Sequence, residues 1–303
     1  MFHVEHSCAA PPHSGTITAN RAYPIRHNIF RYKDLMKKRI FAITNQKGGV
    51  GKTTTTINLG ASLALADQNV LMVDMDPQAN LTSGIGKKGD FSPAGTVYEA
   101  LTTDNAEAVQ YIVETDVTGL YLLPADRNLT GAEVELVSLD YRERRLRPLL
   151  RQVYDRFDYI LIDTPPSLGL LTVNALVAAE ATLIPLTCEY FALEGLAELT
   201  ATMQRIQVNL NPTLDIAGVL LTMADRRTNL GQQVAQEVRE FYGDKVFQTM
   251  IPRNIRLGEA PSHGLPAILY DVKSKGAEAY LALAREFLQR MQTAELEGER
   301  HDG

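Results

Sequence analysis

Nine consecutive residues limit the fold more than any other part of the chain: Gln46, Lys47, Gly48, Gly49, Val50, Gly51, Lys52, Thr53 and Thr54. The apolar run Ile40, Phe41, Ala42, Ile43 precedes them, and the helix-like run TINLGASLA follows. Strand, glycine-rich loop and helix in that order make a concave array of backbone N–H donors at a helix N-terminus. That array suits phosphate. Lys52 is placed to reach the β- and γ-phosphates of a nucleotide, and the Thr53 hydroxyl to ligate Mg²⁺. Gly48, Gly49, Val50, Gly51 and Thr54 complete the candidate cradle.

The loop departs from the usual phosphate-loop spacing. That pattern calls for glycine six residues before Lys52, where this chain has Gln46, and a second lysine, Lys47, opens the loop. Lys52 already serves the chain's own nucleotide. Lys47 is therefore expected to reach across a dimer interface to a partner's phosphates.

Two further motifs place carboxylates after apolar, strand-like runs. Asp74 and Asp76 lie in VDMDPQ, and Asp163 opens DTPPS. Nucleotide hydrolysis needs a metal between the β- and γ-phosphates and a group that orients the attacking water. Asp163 suits the Mg²⁺ shell, through a water. Asp76 suits the nucleophilic water or its metal-bound neighbour. A lone aspartate after a strand would read as a helix cap. Three motifs in this order instead point to one ATP site.

From Arg39 onward, β-rich runs at 40–44, 70–74, 120–124, 159–163, 182–186, 216–223 and 245–250 alternate with helical stretches. Several are continuous apolar runs, as buried parallel strands require. The expectation is an α/β fold: a doubly wound, mostly parallel sheet flanked by helices, with ligands at the C-terminal strand ends. Residues 39–292 are read as the ATPase domain. Residues 1–38 are read as a disordered extension, and 293–303 as an acidic flexible tail. Gly276 to Glu299 reads as a helix with Tyr280, Leu281, Leu283, Ala284, Phe287, Leu288 and Met291 on its apolar side.

Composition excludes other classes. The net charge is −6, yet residues 1–40 carry +5. Cys8 and Cys188 have no CxxC partner, so zinc and iron–sulfur sites lack support. No run long enough to span a membrane occurs. The C-terminal helix ends in acidic residues, unlike a membrane-surface helix. A cytoplasmic protein is expected.

KGGVGKTT, VDMDPQAN, DTPPSLGLLTVNAL, CEYFALEG, LLTMADRRTNLG and IPRNIRLGEAPSHG together resemble the ParA/Soj family of DNA-partition ATPases, from about Arg39 to Phe287. The resemblance implies an ATP- and Mg²⁺-dependent homodimer. Lys47 would act in trans, Lys52 bind phosphate, Thr53 bind Mg²⁺, Asp76 support hydrolysis and Asp163 be the Walker B carboxylate. Pro252 and Asn254 match positions near adenine. Arg227, Arg253 and Arg256 match or neighbour positions tied to non-specific binding of double-stranded DNA, with surface salt bridging as the alternative. The implied partner is a ParB/Spo0J-type centromere-binding protein that stimulates slow hydrolysis, and the implied location is the nucleoid. Two alternatives share the loop: a ligase of the dethiobiotin-synthetase type and a MinD-like positioning ATPase.

The family's domain begins close to its first strand, so the segment before Lys38 is unexpected. Residues Met1, Phe2, His3, Val4, Glu5 and His6 can be encoded by ATG TTC CAC GTG GAA CAT, its own reverse complement. That sequence resembles a ParB-type palindromic site. The expectation is a translated DNA site, with initiation at Met36; the alternative is a chance hexapeptide on a basic tail. Reading the gene's codons tests the first part.

Overall fold

A computed structural model of the chain describes residues 39–301 apart from 190, 191, 226 and 227. The expected extension at 1–38 and Arg227 therefore lie outside the described residues.

Seven strands form one sheet in the order β3–β4–β2–β5–β1–β6–β7. They are β1 (Arg39–Ile43), β2 (Val70–Asp74), β3 (Val113–Glu114), β4 (Leu120–Leu123), β5 (Tyr159–Asp163), β6 (Ala181–Thr187) and β7 (Asp215–Thr222). Every pairing is parallel except β3 with β4. The helices are α1 (Lys52–Ala64), α2 (Asn80–Gly84), α3 (Val97–Thr102), α4 (Leu129–Glu135), α5 (Leu146–Gln152), α6 (Leu170–Ala178), α7 (Ala192–Asn209), α8 (Asn229–Tyr242), α9 (Ile255–Glu259), α10 (Ala267–Tyr270) and α11 (Lys275–His301). The doubly wound, mostly parallel α/β sheet is as the sequence predicts.

Side chains alternate across the sheet with period two. Phe41, Ile43, Met72, Tyr159, Leu161 and Leu220 face α1 and α11. Ile40, Leu71, Val73, Ile160 and Ile162 face α3 to α6, and Ile184, Val219 and Leu221 face α7 and α8. Both faces are covered, so the strands are apolar on both sides. Phe287 packs edge-on against Phe41 and Tyr159, with centroids 4.9 and 5.4 Å apart, and seats α11 against the centre of the sheet. The expected apolar side of that helix is the side it buries or half-buries.

Two local expectations are corrected. Residues 245–250 form no strand. They make one isolated bridge to β7, and the Gln248 and Thr249 N–H groups donate to the Glu286 carboxylate rather than to a ladder. The short antiparallel β3 was not expected; two residues are too few for a periodic signal. α11 runs from Lys275 to His301, starting one residue before and ending two after the helix read at 276–299. Ala, Glu and Leu over 293–301 are strong helix formers, and they outweigh Gly298.

Candidate nucleotide site

β1 sits between β5 and β6, where the connections diverge to either side. Such a switch point opens a crevice at the carboxyl ends of the strands. The loop 44–51 lies there, fastened to its neighbours. Asn45 donates through Nδ2 to Pro185 O at 2.8 Å and accepts from the Lys47 N–H at 2.9 Å. The Thr222 hydroxyl donates to Val50 O at 2.8 Å, and Val50 is buried. Gly51 has φ +93° and hands the chain into α1; a side chain in this left-handed conformation would be strained. Gly49, at φ +73°, has open space where a Cβ would be. Gly48 lies against Pro166.

Lys52 is almost fully buried, and its Nζ donates to Lys47 O at 3.3 Å. Burial lowers its pKa, while the charges of Asp163 and Asp76 oppose that shift. The Thr53 hydroxyl donates to Asp163 Oδ2 at 2.7 Å, and the Thr56 hydroxyl to Oδ1 at 3.3 Å. Asp163 is fully buried, and desolvation, then the nearby Asp74 charge, pushes its pKa well up. Thr54 lies further along the first turn, where its carbonyl accepts from Asn58 Nδ2.

Asp76 is nearly buried and accepts from the Gln78 N–H at 2.9 Å, which fixes the turn after β2. Asp74 was not singled out from the sequence. It is fully buried and accepts from the Asp76 N–H at 3.1 Å, the Thr82 N–H at 2.9 Å and the Thr82 hydroxyl at 2.7 Å. It therefore holds the Asp76 turn and α2 to the end of β2. Desolvation raises its pKa to about 6. Its place in the quoted motif was visible, but its inward orientation needs the register of β2.

The hard oxygen donors of Thr53 and Asp163 suit Mg²⁺, which prefers oxygen and keeps waters and phosphates as its remaining ligands. Among the described residues, no group of three or more His, Cys, Asp or Glu side chains could hold a metal alone. The donor set fits a metal completed by a nucleotide.

The outer residues divide. Pro252 bridges Ala224 beside the end of β7. Asn254 accepts from the Arg256 N–H at 2.9 Å and caps α9, so its carbonyl oxygen has a structural task. Arg256 is ion-paired to Glu259 at 2.7 Å and to Asp271 at 3.2 Å, which is the salt-bridged alternative for this residue. Arg253 is exposed, and its charge acts on Glu189. Glu189 is a second residue missed from the sequence; its Oε2 lies 2.6 Å from Lys47 Nζ.

Comparison with known proteins identifies the family. A family model described as an AAA domain matches residues 38–216. The chromosome partitioning protein ParA of Myxococcus xanthus is 56% identical over 83% of this chain and 88% of its own. The sporulation initiation inhibitor protein Soj of Bacillus subtilis is 56% identical over 82% of this chain and 97% of its own. A solved structure described as cobyrinic acid a,c-diamide synthase from Mycobacterium smegmatis, with bound ATP analog and magnesium, aligns with TM-score 0.74 and 38% identity over 85% of this chain and 97% of that one. With a phosphate loop at the sheet's switch point and this identity over most of its length, the chain belongs to the ParA/Soj family of chromosome-partition ATPases.

Proposed function

We propose that the chain is an ATP-driven dimerisation switch for DNA partition. The observation that carries it is the divergence of the loop's two lysines. Lys52 turns inward to Asp163 and Asp76, while Lys47 reaches outward to Glu189. An outward lysine at the loop's mouth is of little use to the nucleotide beneath it and well placed for one on a facing copy.

In this reading Lys52 and the N–H groups of residues 48–54 bind the phosphates of ATP. Thr53 and Asp163 hold Mg²⁺, which neutralises charge developing on the phosphates. Asp76 orients the attacking water, and Asp74 fixes Asp76. Pro252 and Asn254 lie toward the base. Two copies close face to face, each Lys47 crossing to the other's nucleotide. The closed dimer binds double-stranded DNA without sequence preference, Arg227 and Arg253 carrying more of the contact than the ion-paired Arg256. A ParB/Spo0J-type centromere-binding protein stimulates slow hydrolysis and releases the dimer from the nucleoid.

Sedimentation with a non-hydrolysable ATP analogue tests the switch: wild type should dimerise, and Lys47→Ala should bind nucleotide yet stay monomeric. A Lys47→Ala protein that dimerises like wild type would overturn the trans role.

A second reading, a small-molecule ligase, draws on the name of the Mycobacterium smegmatis relative. The 56% identity to chromosome-partition proteins favours the first reading over that 38%. Turnover discriminates them: the switch responds to DNA with its partner protein, a ligase only to an organic acid or amine.

A further inference from the structure

Lys47 and Glu189 are 142 residues apart in sequence, yet their side chains meet at 2.6 Å. The Lys47 backbone is fixed at both ends, by Asn45 through its N–H and by Lys52 through its carbonyl. Its side chain has Glu189 as its partner among the described residues. Both side chains are accessible, at 40% and 52% exposure, so the pair opens at little cost. Gly48 and Gly49 follow directly and are exposed, which leaves room for the lysine to swing.

We propose that Glu189 is a positioning residue that parks Lys47 on its own subunit until a second copy closes. The inference rests on the ATP-driven dimer proposed above and adds a cis competitor for the trans lysine. In the monomer Lys47 is neutralised by Glu189. In the dimer it must leave that carboxylate to reach the partner's phosphates. The latch opposes dimerisation twice, once per subunit. It therefore sets the nucleotide and protein concentrations at which the switch closes.

The test is Glu189→Gln, which keeps the shape and removes the charge. Exposed ion pairs of this kind, opened twice per dimer, shift a dissociation constant by about 2- to 30-fold. Sedimentation velocity with a non-hydrolysable ATP analogue at low ionic strength should show the variant dimer tighter than wild type by an amount in that range. At high salt, where the exposed pair is screened, the two should converge. Nucleotide affinity of the dilute monomer, read with a fluorescent ATP analogue, should be unchanged, because Lys47 does not serve its own nucleotide. A variant dimer no tighter than wild type would overturn the latch, as would a loss of monomer nucleotide affinity. If wild type itself fails to dimerise with the analogue, the dimer reading falls and the latch with it. If wild type dimerises and the variant gains nothing, only the latch falls.

Discussion

Arg253→Ala should flatten the salt dependence of DNA binding, and Arg256→Ala should leave it nearly unchanged. Both arginines lie on one short segment, and sequence alone treats them alike. Their surroundings do not. Arg256 is held by Glu259 at 2.7 Å and Asp271 at 3.2 Å, so the trio carries one excess negative charge. Bringing that guanidinium to a phosphate would break both pairs and set two carboxylates beside the DNA. Arg253 is exposed and makes no ion pair within 4 Å among the described residues. Each phosphate neutralised contributes about −0.9 to the slope of log affinity against log salt, and a dimer presents each arginine twice. Removing Arg253 should therefore change the slope by about 1.8. Between about 50 and 200 mM salt, the variant dimer should lose about 12-fold less affinity than wild type. The assay is a titration of fluorescent duplexes at several salt concentrations with a non-hydrolysable ATP analogue, repeated on two unrelated sequences. Equal flattening by both substitutions, or strong preference for one duplex, would refute the reasoning.

Lys52→Ala should weaken nucleotide binding by about 10- to 150-fold, the size of one charge-assisted hydrogen bond, as read by a fluorescent ATP analogue. Asp76→Ala should bind ATP and dimerise but hydrolyse slowly, which a phosphate-release assay and a DNA-retention assay would register together. Tyr280→Phe deletes the hydroxyl that shares a 3.0 Å hydrogen bond with the buried Thr55 hydroxyl, so chemical denaturation should show a loss of about 1–2 kcal/mol. Asp74 gives a pH prediction whose sign follows from its pKa, raised by burial from 3.8 to about 6. The folded state holds this proton more tightly than the unfolded state, so stability falls as pH rises from about 4 to about 6 and then levels. Asp74→Asn cannot ionise, so wild type should lose ground against it over that window in urea unfolding, and a constant difference would count against the buried carboxylate.

Much of the sheet could be read from the sequence because parallel strands buried on both faces are short apolar runs; 159–163 and 70–74 match their strands residue for residue. The nucleotide loop was legible for a related reason: local spacing alone sets its glycines and Lys52 against the helix start. Failures arose where distant segments decide. Whether 245–250 pairs as a strand depends on Glu286, which takes two of its N–H groups from α11. Asp74 and Asp76 look equivalent in VDMDPQ, and only Thr82, eight residues beyond Asp74, marks the first as a structural anchor. Glu189 acquires meaning only when β6 is laid beside β1. For Arg256 the salt-bridged alternative holds: Glu259 pairs with it one helical turn on, within reach of sequence spacing, whereas Asp271 is brought up only by the fold.

The packing of α11 has a consequence for the order in which this chain matures. α1 carries Lys52 and Thr53, and its far side is covered by Tyr280, Leu283, Ala284 and Phe287, from a helix that follows every strand in sequence. During vectorial synthesis the loop, β1 and β5 leave the ribosome long before that cover exists. Apolar surface on α1 stays bare in the interval, and such surface favours association with other unfinished chains. Long-range closure of this kind is also slow, because the entropy of joining distant segments is lost before their contacts form. The phosphate loop is thus encoded early but is supported from behind only when α11 docks. A nascent chain would bind nucleotide tightly at the end of its synthesis rather than at the point where the motif emerges.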